Sequence, residues 1–118
     1  MRKVFISQPM KGKSDGEIKA VREDLIKKIK ERFGEVEIMD TYFENAPYDV
    51  RPLWCLAKSL EALSRADIAY FAKDFDKNRG CTIEHLCARE YGITIVYEEV
   101  NENDRAWKIN WNVERMGK

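Results

Sequence analysis

The stretch DIAYFAKDFDKNRGCTIEHLCAREYGITIVYE (67–98) decides the fold. Its first run, DIAYFAK (67–73), reads as a strand, and the polar loop DFDKNRG (74–80) follows. Next comes an amphipathic helix carrying Glu84 and ended by Gly92, then a strand, ITIVYE (93–98). A strand, a helix and a second strand in that order imply a right-handed crossover between parallel strands.

The same alternation extends towards the N-terminus. KVFISQ (3–8) is a short β-rich run followed by the polar loop PMKGKSDG. Ser14 and Glu17 stand in the S-x-x-E spacing of a capping box and open a helix. Ile18, Val21, Leu25, Ile29 and Phe33 recur at helical intervals, and Gly34 stands where a left-handed terminal residue is wanted. VEIMDTYF (36–43) is another strand, and ENAPYDVRP is a loop punctuated by Pro47 and Pro52. Pro52 suits the first position of the helix PLWCLAKSLEALSRA, with Leu53, Leu56, Leu60 and Leu63 as its buried stripe.

The order strand, helix, strand, helix, strand, helix, strand predicts an α/β protein with a flavodoxin- or Rossmann-like three-layer sandwich. Its mainly parallel sheet has four or five strands in the order 2-1-3-4(-5). The fifth strand is AWKINWNVERM, where Trp107, Ile109, Trp111 and Val113 alternate with polar residues; a short helix from Asp104 is the other reading.

Residues 1–118 are read as one domain, since the chain of 118 residues has room for one core. At 44% apolar and 36% charged it has the composition of an ordinary globular protein. Basic and acidic residues number 21 each, so zero net charge gives no electrostatic reason to expect nucleic acid or an anionic membrane as partner. No apolar run is long enough for a membrane span or a signal peptide, which predicts a cytoplasmic protein whose Cys55, Cys81 and Cys87 are free thiols. Cys81 and Cys87, with His85 between them, fit no standard zinc spacing, so no metal is expected.

In open α/β sheets the ligand crevice lies beyond the carboxyl ends of the strands, where the winding reverses. That nominates residues 7–14 and 74–84, the loops leaving the first and third strands. In the first loop, MKGKSDG, Lys11, Lys13, a Ser hydroxyl and free backbone amides form either a phosphate cradle or a solvated basic loop. It is not a Walker A sequence, and no G-x-G-x-x-G occurs. Arg79 is a second candidate for anion contact. Asp74 and Asp76 either receive ribose hydroxyls or cap a turn. Asp67, at the amino end of its strand, is structural.

Glu84 has two readings of its own. At 100° per residue Ile83, Leu86, Cys87 and Tyr91 share the face that packs on the sheet, and Glu84 flanks it. His85 points to the far side, into solvent. Placed in the first turn, Glu84 is either an ordinary helix-start acid or a group aimed into the crevice. The helix dipole keeps it ionised, which suits a nucleophile better than a proton donor.

The residues FISQPM after the start, ADIAYF, and RGCTIEHLCAREYG together resemble the nucleoside 2-deoxyribosyltransferase-like superfamily, nearest its small phage- and prophage-associated branch. The resemblance covers roughly residues 1–98. It implies a flavodoxin-like fold, a homodimer or larger homo-oligomer, and cleavage of the N-glycosidic bond of a small-molecule nucleoside or nucleotide without a cofactor. The glutamate of the family's G-x-x-x-E block, counted from Gly80, is Glu84, and it would attack the anomeric carbon. Ser7, Gln8, Lys11, Gly12, Asp74, Arg79 and Gly80 are the ligand-binding candidates. Two departures stand out. Eight residues before Asp67, where members carry an acid for the leaving base, this chain has Ser59, and Glu61 is the one acid in that helix. The aromatic residue after the first strand is also replaced, by Gln8 and Met10.

Three functions follow, in order of preference. The first is a nucleoside or nucleotide N-glycosidase or deoxyribosyltransferase using Glu84. The second is a nucleotide-binding protein that senses or sequesters its ligand without turnover. The third is an interaction module resting on Trp107 and Trp111.

Overall fold

The computed structural model describes residues 1–39 and 51–98. Seven main elements alternate as expected: β1 (Arg2–Ser7), α1 (Asp15–Phe33), β2 (Val36–Ile38), α2 (Pro52–Leu63), β3 (Ile68–Phe71), α3 (Arg79–Glu90) and β4 (Thr94–Tyr97). The four strands are all parallel and ordered β2-β1-β3-β4. This is the flavodoxin- or Rossmann-like α/β architecture read from the alternation. The later part of the 36–43 run and the 107–113 segment lie outside the described residues.

Strand alternation divides the core between two faces. Val4 and Ile6 of β1, with Ile68 and Tyr70 of β3, pack with Leu25 and Ile29 of α1. Phe5, Ala69, Phe71 and Ile95 face the other way, onto Ala62 and Leu63 of α2 and Cys81 and Ala88 of α3. Phe5 and Phe71 are fully buried, which contributes about 1.5–3 kcal/mol each. Helices on both faces satisfy a sheet that is apolar on both sides.

The local signals act as read. Ser14 Oγ accepts from the Glu17 amide at 3.2 Å while Glu17 Oε1 accepts from the Ser14 amide at 3.2 Å, completing the capping box. That contact holds the Glu17 carboxyl below its ordinary range. Gly34, with φ of 78°, closes α1. Pro52 is the first residue of α2. Asp67 accepts from the Lys3 amide at 2.7 Å, tying the start of β1 to the entry of β3, a structural task.

The helix stripes are partly different from those expected. Leu63 is buried and Leu60 packs against the core, but Leu53 is 71% exposed. Val21 of α1 is also exposed. No helix among the described residues is long and apolar enough to cross a membrane.

Candidate functional site

The winding reverses between β1 and β3. Ser7 and Phe71 are register partners at the carboxyl ends of these two strands. The chain leaves β1 towards α1 on one face and leaves β3 towards α3 on the other. The two nominated loops therefore lie on either side of the same strand ends, where the topology rule puts a ligand.

On the α2/α3 side of that strand end lies Glu84. Ser7 is the last residue of β1, buried, and turned to the same side as Phe5. Its hydroxyl donates to Glu84 Oε1 at 2.6 Å, a short bond for an O–H donor. The Ser59 hydroxyl of α2 supplies Glu84 with a second hydrogen bond. Cys81, one turn earlier on α3, places its thiol in hydrogen-bonding contact with Ser7. Strand β1 and helices α2 and α3 thus each deliver a group to one carboxyl. Ser7 and Glu84 were both nominated from sequence. Ser59, noted there as the absence of an acid, is a contact residue.

Three expectations about α3 are corrected. Asn78 caps the helix by accepting from the Cys81 amide at 3.1 Å, so Glu84 is its sixth residue, beyond the first turn where the dipole acts. Its buried face is Cys81, Glu84, His85 and Ala88, while Leu86 is 45% exposed and Tyr91 is 84% exposed. Cys81 and Ala88 pack against the sheet, and Glu84 and His85 share their face of the helix. Finally, the carboxyl is not held ionised. Burial raises it from an ordinary value of 4.5 to about 7, against the opposing effect of the Ser7 and then the Ser59 hydrogen bonds.

His85 is buried rather than solvated. Its Nε2 and the Tyr97 hydroxyl share a hydrogen bond of 2.7 Å inside a cluster with Phe71 and Phe75. Burial raises the Tyr97 phenol above its usual range. The Cys81 thiol is likewise pushed up, to about 12, first by burial and further by the neighbouring Glu84. A thiol so protonated is a hydrogen-bond donor and not a nucleophile.

The other nominated residues are differently placed. Gln8 is buried on the α1 side, where its Nε2 donates to the Ile18 carbonyl at 3.2 Å. Lys11 and Gly12 lie in the exposed loop before α1, and Gly12 has a φ of 79°. Arg79 is exposed at the start of α3. A Cβ on Gly80 would lie 3.5 Å from Asn78 Oδ1, an ordinary contact, so packing does not demand glycine there. Asp74 is exposed, left-handed at φ of 65°, and paired with Lys77 at 3.4 Å. It joins Pro9, Lys13, Ala72 and Glu98 around a separate open depression of about 440 Å³ on the α1 side. Glu84 does not line that depression, and its shape is too open to define a ligand.

Polar residues on the inward face of α2 were the legible signal for Ser59. It follows Leu56 by three positions and precedes Leu63 by four, within the stripe. The thiol contact of Cys81 had no comparable signal. No protein-family model matches the chain, and comparison with curated proteins and with solved structures finds no match.

Proposed function

We propose that the chain cleaves the N-glycosidic bond of a small nucleoside or nucleotide, with Glu84 as the nucleophile. The observation that carries this reading is the Ser7–Glu84 hydrogen bond of 2.6 Å at the carboxyl end of β1. It fixes a buried carboxyl at the switch point with hydroxyl partners, and no cation among the described residues contributes to its ionisation. An ionised carboxylate in such a place is poorly solvated. The positive charge that develops on an anomeric carbon is the complement it lacks.

A Glu84 oxygen bonds to the anomeric carbon as the carbon–nitrogen bond breaks, and the electron pair leaves on the base nitrogen. The base takes a proton from solvent, because Ser59 has no acidic proton to give. Glu61, the acid of α2, is exposed and lies 3.8 Å from Arg65. Water then adds to the anomeric carbon, releasing the sugar, a proton and the Glu84 carboxylate. Solvent protonation favours hydrolysis of bases that leave easily over transfer to an unactivated acceptor base.

A second reading has its own support. With its carboxyl raised to about 7, Glu84 is substantially protonated at neutral pH and can serve as a hydrogen-bond donor to a ligand held without turnover. Chromatographic measurement of free-base release separates the two. The substrates are ribo- and deoxynucleosides and their 5′-monophosphates, with Glu84→Ala alongside. Release by the parent and none by the variant supports the glycosidase. No release, with a nucleotide still raising Tm, supports the binding protein.

A further inference from the structure

Gln8 is the first residue beyond β1, and only 4% of its surface is exposed. Its Nε2 donates to the Ile18 carbonyl at 3.2 Å. That bond fixes which way the carboxamide faces, because the flipped amide would set two acceptors against each other. Among the described residues Oε1 is buried with no hydrogen-bond partner. Folded chains rarely strand a buried acceptor, and those that persist mark positions filled by a ligand or by water.

The location selects between these. Gln8 follows Ser7 directly, so their Cα atoms are about 3.8 Å apart. Ser7 turns to the α3 side and holds Glu84, whereas Gln8 turns to the α1 side and meets Ile18. The two side chains bracket the end of β1 from opposite faces of the sheet. A ligand seated over that end would lie between these two flanks.

We infer that Gln8 Oε1 is an acceptor for a hydroxyl or N–H group of the molecule bound at Glu84, and that any phosphate of that molecule is held elsewhere. The inference rests on the nucleoside reading proposed above and adds to it a polarity. An oxygen with only lone pairs to offer attracts a sugar hydroxyl or a base amine, and repels phosphate oxygens. With Nε2 committed to Ile18, Gln8 cannot reverse that preference.

The test combines stability with binding, in a Glu84→Gln background that prevents turnover. Gln8→Leu and Gln8→Met each remove the stranded acceptor at similar volume. The probes are 2′-deoxyadenosine 5′-monophosphate, 2′-deoxyinosine 5′-monophosphate, which has a carbonyl for the amine, and 2′,3′-dideoxyadenosine 5′-monophosphate, which lacks a sugar hydroxyl. Calorimetry gives affinity and thermal melting gives Tm. The expected result is a ligand-free Tm equal to or above that of the parent, with affinity for the first probe about tenfold weaker. One altered probe should bind the parent about tenfold more weakly, and the variants should not discriminate it. The probe concerned tells whether amine or hydroxyl is the donor. Unchanged affinity in both variants overturns the inference and leaves water as the partner of Oε1. So does a lower Tm in both variants with affinity retained, which makes Gln8 a packing residue. If the parent background binds none of the three probes, the nucleoside reading fails and the inference fails with it.

Discussion

The Ser7 hydroxyl donates to Glu84 Oε1 at 2.6 Å, joining residues 77 positions apart in sequence at the carboxyl end of β1. Among the effects opposing burial of the carboxyl, this bond is the larger and the Ser59 bond the smaller. Removing the Ser7 donor raises the Glu84 carboxyl further above about 7. Ser7→Ala should therefore move the acid limb of the pH–rate profile to higher pH and lower the rate at pH 7 by about tenfold. Ser59→Ala should shift the limb the same way by a smaller amount. Profiles of base release against pH for the parent and both variants check the ranking.

Ionisation of Glu84 is a cost to the folded state. Unfolded, the group titrates near 4.5, and folded near 7, so the native chain binds the proton more tightly. Stability from this group is fully present below about pH 4.5. It declines as pH rises towards 7 and is lost above it, by about 3 kcal/mol. Glu84→Gln removes the decline. The variant should exceed the parent in stability at pH 8 and approach it at pH 5, as measured by urea unfolding at the two values.

His85 and Tyr97 test the boundary of the site. Their 2.7 Å hydrogen bond lies in the aromatic cluster with Phe71 and Phe75, with both groups buried. Tyr97→Phe leaves His85 one partner short and should cost about 1–3 kcal/mol in urea unfolding. The acid limb of the folded variant should stay where the parent has it, because neither Tyr97 nor His85 contributes to the shift of Glu84.

Gly80 separates packing from ligand approach. Space for a Cβ exists there, and alanine is the better helix former. Gly80→Ala should raise stability by about 0.5–1 kcal/mol. A simultaneous rise in KM would mean that substrate comes close to this backbone, whereas an unchanged KM would place it elsewhere.

Much of the fold was legible because its signals are local. The Ser14–Glu17 box, Pro52 at the start of α2 and the closing Gly34 each act within one turn, so four residues suffice to read them. Parallel order followed from alternation. Helical periodicity weighted by the large residues Ile83, Leu86 and Tyr91 points to the wrong face of α3. Burial instead went to Cys81 and Ala88, whose small size allows close packing. The inward turn of His85 depends on Tyr97, a partner on another element that no window on the helix contains. Glu84 was found, but its ionisation was not. A dipole argument sees the helix alone, while the raised carboxyl comes from burial under α2 and β1.

Glu84 as a covalent nucleophile is tested most directly by intact-protein mass spectrometry after rapid acid quenching with a deoxynucleotide that the chain hydrolyses. The predicted result is a species heavier by one deoxyribosyl phosphate, mapped by digestion to Glu84 and missing in Glu84→Gln. Continued base release by Glu84→Gln, or an adduct mapped to another residue, would contradict it.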